Sequence, residues 1–183
     1  MDTLFDFEQF PYIETPRLLL RELQKEDAEA IFRIFSDPEV MKYSDMDMFT
    51  RLEQAQFMIE RQRHRFEQKE HFRWGIALKD SDIIIGTGGY VAWNRMWHNA
   101  ELGYDLAKPY WGQGIMTEAV RAMIQFGFEH MELHRIEAEV MPENTASVRL
   151  LHKLDFQEEG VLRERSFWKD EFHDLAMFAL FKR

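Results

Sequence analysis

Cysteine is absent from the 183 residues, which removes disulfide frameworks, thiolate zinc sites, iron–sulfur clusters and a cysteine nucleophile together. Positive charge is scarce as well. Lysine and arginine number 23 against 33 aspartates and glutamates, a formal net charge of -10. A nucleic-acid backbone binder needs a basic face, so direct nucleic-acid binding is not expected, whereas cationic partners are favoured. No run approaches the 18 or more apolar residues of a membrane span, and the first twenty residues lack the basic start and unbroken apolar stretch of a signal peptide. The expectation is a cytoplasmic protein with no membrane partner, acting as a monomer or homodimer. There is no internal repeat and no low-complexity linker. With 45% hydrophobic and 31% charged residues, the chain reads as one globular domain spanning residues 1–183.

The apolar run RLLLREL (17–23) follows Thr15-Pro16 and reads as a first strand. From Lys25 to Phe35, Ala28, Ile31, Phe32 and Phe35 recur at helical intervals, with Glu26 and Asp27 in the first turn where the helix dipole favours acids. A second helix is predicted over 51–68. The β-rich runs 72–79, 82–93 and 99–108, separated by turn residues, predict an antiparallel meander. A long helix over 113–131, a strand over 134–141, a helix over 144–153 and two strands near 156–167 and 172–181 complete the chain. The order is mixed α/β.

The segment YDLAKPYWGQGIMTEAV carries the most chemistry. A strand ends, a turn with Gly112, Gln113 and Gly114 follows, and a helix begins at once. Unpaired backbone N–H groups and the positive end of a helix dipole therefore converge on one spot, which is an anion cradle. Glycine there lets a phosphate approach the backbone and permits positive φ. Thr117 stands where a Rossmann fingerprint has its third glycine, and no Gly-Lys-Ser/Thr follows, so neither dinucleotide motif is present. The same residues also suit a tight turn without a ligand.

With its flanks, this segment resembles the acyl-CoA-binding region of the GNAT N-acetyltransferase superfamily, and within it the bacterial ribosomal-protein N-terminal acetyltransferases. The likeness extends through TPRLLLREL at the start, AELGYDLAKPYWGQGIMTEAV in the middle, and NTASVRLLHKLDFQEEGVLRE with FHDLAMFAL at the end. Three departures stand out. Trp111 replaces an Arg or Gln common in the superfamily, Met116 a Gly or Ala, and Asp155 a Gly at a helix end, where Asp tolerates a left-handed backbone.

The resemblance implies a GNAT fold, with a mixed, mostly antiparallel central sheet of six or seven strands flanked by about four helices. It also implies acetyl-CoA as cosubstrate, with no metal. The backbone N–H groups of Gly112, Gln113, Gly114, Ile115, Met116 and Thr117 would take the pyrophosphate. The strand backbone from Tyr104 to Leu106 would pair with the pantetheine arm, and Asn144 would contact that arm. Glu101 would be the general base, directly or through water, and Ser147 would hydrogen-bond the sulfur and protonate the departing thiolate. The implied acceptor is a protein N-terminal α-amine of ribosomal type, attacked directly in a ternary complex. Its ordinary pKa near 7.7 to 8 makes it easier to deprotonate than lysine by about 3 kcal/mol. A small-molecule amine acetyltransferase (polyamine, aminoglycoside or amino-acid derivative) and a non-catalytic acyl-CoA-binding module are the alternatives; Glu101 and Ser147 together argue against the second.

The remaining features suit structural roles. Asn144 is also a natural helix N-cap, and Lys153 suits the last turn of a helix whether or not it reaches a phosphate. His130, Glu132 and His134 form HxExH rather than the zinc motif HExxH. Gly86, Gly88 and Gly89 within a strand point to a bulge or close backbone packing. The five tryptophans suit a core better than an acceptor pocket.

Overall fold

The computed structural model describes residues 5–183. Its strands are β1 (Ile13–Glu14), β2 (Leu18–Arg21), β3 (Phe72–Leu78), β4 (Ile84–Asn94), β5 (Asn99–Leu106), β6 (Arg135–Val140), β7 (Gln157–Trp168) and β8 (Glu171–Phe181). Four helices accompany them: α1 (Ala28–Phe35), α2 (Leu52–Glu67), α3 (Ile115–His130) and α4 (Thr145–Lys153). The strands form one sheet in the order β1-β2-β3-β4-β5-β6-β8-β7. Eight strands exceed the six or seven expected. The added strand, β1, is two residues long and antiparallel to β2, too short to leave a period-two pattern in the sequence.

The meander β3-β4-β5 is antiparallel as predicted, and among the described residues only β5 and β6 run parallel. Their connection is α3, the crossover that a parallel pair requires. Alternation along the strands sends two sets of side chains to opposite faces. Trp74, Ile76, Tyr90 and Leu102 join Met116, Ala119, Val120 and Met123 of α3 and Leu151 of α4. Ala77 and Ile84 join Ile31, Ile34 and Phe35 of α1 with Ala55, Met58 and Ile59 of α2. Each fully buried Phe, Ile or Leu contributes about 1.5–3 kcal/mol of transfer free energy.

Close contact fixes α3 on the sheet. The buried Tyr90 hydroxyl donates to the Met123 carbonyl at 2.8 Å, and a Cβ on Gly127 would stand 2.0 Å from that hydroxyl. Only glycine lets the helix sit so low. In β4, Gly88 serves the same end, an added Cβ there standing 2.6 Å from Met123 Cε, whereas Gly86 and Gly89 admit the neighbouring strands, added Cβ atoms meeting Asp105 O of β5 at 2.5 Å and Phe72 O of β3 at 2.6 Å. Asp155 is left-handed at φ 65, as its place after α4 predicts. The helix ends at His130, Glu132 turns with φ 53, and His134 starts on the other side of that turn, so the two histidines do not share a helix face. Among the described residues no group of three or more His, Asp or Glu is arranged to hold a metal. Of the tryptophans, Trp74 is core, whereas Trp97 and Trp111 are exposed. Among the described residues no helix is long and apolar enough to cross a membrane.

Candidate active site

The sheet opens in its middle. β5 and β6 pair only at Asn99↔Arg135, Ala100↔Ile136 and Glu101↔Glu137. Beyond Glu101, β5 remains on β4 as far as Leu106↔Gly86, while β6 follows β8 through Val140↔Ala176. The backbone of residues 102–106 that would have bonded β6 faces a wedge-shaped gap, and backbone groups in such a place require partners. An extended chain bearing amides supplies them. Glu101 is the last paired residue, at the apex of the wedge.

The cradle lies past the wide end. Gly112 (φ 72) and Gly114 (φ 74) are both left-handed, and Gly114 caps α3. The first helical bond of α3 runs from Glu118 N to Gly114 O at 3.1 Å. Among the described residues, the N–H groups of Gly112, Gln113, Gly114, Ile115, Met116 and Thr117 have no acceptor. They face a helix N-terminus whose dipole favours an anion. Ile115 and Met116 bury their side chains in the core, so they offer backbone alone. Trp111 explains its own departure: its indole N–H donates to the Leu106 carbonyl at 2.8 Å and ties the turn to the end of β5. One lone pair of the Leu106 carbonyl is therefore already engaged.

Arg17 was not legible as a site residue. Its Nε donates to Glu118 Oε2 at 2.7 Å and its Nη1 to Gln113 O at 3.0 Å, and Thr15 Oγ1 donates to Glu118 Oε1 at 2.7 Å. Partial burial pushes the Glu118 carboxyl up, but the bonds from Thr15 and Arg17 outweigh it and hold the group below its ordinary value. The half-exposed guanidinium thus stands beside the cradle, 3.8 Å from where a Gly114 Cβ would lie.

Asn144 is the predicted cap of α4, its Oδ1 accepting from Ser147 N at 3.2 Å. Ser147 also meets β5: its hydroxyl and that of Tyr104 are 2.6 Å apart. Burial pushes the Tyr104 phenol up to about 12, with the Ser147 bond acting the other way. It is therefore protonated at neutral pH and able to donate.

Glu101 points to the face covered by α1 and α2, opposite Ala100 and Leu102, which are in the α3 core. Burial, then the negative charges of Glu139, Glu137 and Asp45, push its carboxyl up to about 7, against the opposing Arg165. A carboxyl tuned so near neutrality is suited to exchanging a proton there. A cleft of about 570 Å³ adjoins it, lined by Glu101, Glu137, Asn99, Trp93, Arg95 and Lys69 among others. Lys169, in the β7–β8 turn, donates to Met41 O at 2.7 Å and Ser44 O at 3.0 Å, strapping that hairpin to the segment that carries Asp45.

Residues 17–157 match the family described as the acetyltransferase (GNAT) domain. The chain belongs to the GNAT acetyltransferases. It is 42% identical to the uncharacterized N-acetyltransferase p20 of Bacillus licheniformis, over 92% of this chain and 95% of that protein. Over 62% of this chain and 59% of the other, it is 31% identical to the [ribosomal protein uS5]-alanine N-acetyltransferase of Escherichia coli. A crystal structure of a GNAT-family acetyltransferase from Bacillus anthracis superposes with a TM-score of 0.84 at 28% identity, covering 93% of this chain and 98% of that one. This chain is accordingly an acetyl-CoA-dependent N-acetyltransferase. The donor set suits that cosubstrate chemically: the gap exposes strand backbone of a kind an amide-bearing arm can pair with, and among the described residues six N–H groups at the helix start have no acceptor, as an anion site requires.

Proposed function

We propose that this GNAT chain acts as one domain to acetylate a protein N-terminal α-amine, of the kind that ribosomal-protein acetyltransferases modify, in the cytoplasm. The observation that carries the reading is the place of Glu101, a carboxyl raised to about 7 at the apex of the wedge with an open cleft beside it. An α-amine has an ordinary pKa of about 7.7–8, so acceptor and base are matched near neutral pH. Bound acetyl-CoA supplies an activated acetyl group. Glu101 receives the ammonium proton, directly or through water, and the freed lone pair attacks without a covalent enzyme intermediate. Ser147, oriented by Tyr104, gives its proton to the leaving sulfur, and the second nitrogen proton, shed as the amide forms, restores the serine hydroxyl. Gly112, Gln113, Gly114, Ile115, Met116 and Thr117 hold the pyrophosphate, with the Thr117 hydroxyl as an added donor. Tyr104 and Leu106 pair with the pantetheine arm through backbone, and Asn144 contacts it. Asp45, Glu137 and Glu139 make the approach acidic, which suits a basic peptide.

The test is an acetyl-CoA-dependent screen of alanine- and serine-initiated peptides, polyamines, aminoglycosides and amino-acid amides. Peptides turned over with the highest kcat/KM support the reading. Turnover confined to polyamines or aminoglycosides assigns a small-molecule acceptor instead.

A further inference from the structure

The face of the sheet that carries Glu101 is bare where it would otherwise hold side chains. Gly89 of β4 lies opposite Gly103 of β5, and Arg73 of β3 lies opposite Gly89. A Cβ on Gly89 would sit 2.7 Å from Arg73 Cα, and one on Gly103 would sit 3.3 Å from Arg73 Nη1 and from Val91 Cγ1. The arginine side chain therefore crosses two unoccupied positions and ends over β5.

Two anchors fix it there. Arg73 Nε donates to Thr87 Oγ1 at 3.0 Å, and Nη2 pairs with Asp105, whose neighbour across the strands is Thr87. The pair is well shielded, with side-chain exposures of 12% and 20%. Because the guanidinium is planar, holding Nε and Nη2 also fixes Nη1. Nη1 has no acceptor among the described residues. It is not among the buried atoms left without a partner, so it reaches the open side of the sheet, a fixed charged donor free to meet a ligand acceptor.

The position of Nη1 says which acceptor. Gly103, beneath it, follows Glu101 by two residues on the same face, about 6.7 Å along the strand. In an N-terminal residue the carbonyl oxygen lies about 3 Å from the α-amine nitrogen, from backbone bond lengths. A nitrogen near the Glu101 carboxylate, bonded to a carbon that bears a carbonyl, spans the space between the two side chains. An alkyl polyamine offers nothing to Nη1.

We propose that Arg73 determines acceptor specificity, its Nη1, held over Gly103 by Thr87 and Asp105, donating to the first carbonyl oxygen of an α-amino acyl acceptor whose amine stands at Glu101. This rests on the α-amine reading above and names the subsite that enforces it.

The test compares an alanine-initiated tripeptide amide with its analogue in which a trans alkene replaces the first peptide bond, and includes alaninamide as a third acceptor. Arg73→Lys keeps a positive charge beside Asp105 but removes the fixed fork. The expected result is a loss of kcat/KM on the tripeptide at least tenfold larger than the loss on the alkene analogue, because a charged donor to a shielded carbonyl is a strong bond. Equal losses on both, or no loss on either, overturn the subsite. If Arg73→Lys does not fold, the double replacement Arg73→Met with Asp105→Leu removes the pair without orphaning a charge and gives the same comparison. Wild-type turnover of alaninamide but not of the tripeptide, with the Arg73 dependence intact, supports the subsite and overturns only the protein-acceptor reading. Turnover of neither overturns both.

Discussion

The hydroxyls of Tyr104 and Ser147, 43 residues apart in sequence, lie within 2.6 Å of each other and join the open end of β5 to the first turn of α4. The phenol is shielded and stays protonated. When it donates to Ser147 Oγ, the serine hydrogen is free to turn into the gap. The backbone N–H of residue 147 is meanwhile occupied by Asn144, so the helix start does not depend on the serine side chain.

Ser147→Ala is therefore expected to leave folding and acetyl-CoA affinity near wild type while lowering kcat by about tenfold, a modest share of general-acid catalysis. Tyr104→Phe should give a smaller loss. Since the two act through one bond, the double variant should lose less than the product of the two singles, with a coupling of about 1 kcal/mol. Single-turnover kinetics on all four proteins checks this, and strictly multiplicative losses would separate the two residues.

Gly114→Val is expected to weaken acetyl-CoA binding at least about tenfold in calorimetry. The protein itself leaves room for a side chain, its nearest atom being Arg17 Nη2 at 3.8 Å. Two costs remain: a β-branched residue at φ 74, about 1–2 kcal/mol of stability, and obstruction of the phosphates. Gly114→Asn separates them, because asparagine tolerates the left-handed region. Near-wild-type melting with weakened binding assigns the loss to obstruction; unchanged affinity in a folded Gly114→Val removes the cradle from the cofactor site.

How far the sequence reached is clear from these residues. The cradle was legible because strand end, glycine turn and helix start are contiguous, so Gly112 and Gly114 announce positive φ locally. Glu101, Tyr104 and Ser147 entered through family likeness alone. The opening of the sheet after Glu101 has no local signature: it depends on where β5 and β6 stop pairing, and both strands keep their own alternation beyond that point. Arg73 reads as an outward polar residue in FRWGIAL, and only the register of three strands sets it beside Asp105 and Gly103. Arg17 and Glu118 meet across 101 residues.

The Arg17–Glu118 contact gives a prediction of opposite pH sense to that of Glu101. Glu118 is held below its ordinary pKa when folded, so its contribution is present above the unfolded value near 4.5 and is lost as pH falls. Replacing it with glutamine should lower stability at pH 7 by about 1 kcal/mol or less, given that Arg17 is half exposed, and by progressively less as pH falls below the unfolded value through the lower folded one. Acetyl-CoA affinity should fall with it, since the guanidinium beside Gly114 loses its anchor. Urea unfolding over a series of pH values from 7 downward, with binding measured at pH 7, checks the pair; an effect that does not shrink as pH falls would show that the charge is not what matters.

Glu101 tests the chemistry itself. Glu101→Gln should keep acetyl-CoA affinity, because the pyrophosphate cradle is formed elsewhere, and lower turnover by about 100-fold near neutral pH, a common share for a general base. The deficit should narrow as pH rises through about 8, where an α-amine acceptor arrives already neutral. Stability moves in the other direction. Burial, together with Glu139, Glu137 and Asp45, raises the folded carboxyl to about 7, so the folded state prefers it protonated. Its stabilising contribution is complete below the unfolded pKa of about 4.5 and is lost as pH rises from there through about 7. Above pH 7 the wild type carries a shielded negative charge that glutamine lacks. The variant should then be the more stable protein by on the order of 1 kcal/mol after solvent screening, and indistinguishable from wild type near pH 4. Slower chemistry in a protein that melts higher only at alkaline pH is the joint signature of a base held ready by its surroundings. Undiminished turnover at neutral pH would end the assignment, and a melting difference independent of pH would show that Glu101 is not held neutral by burial.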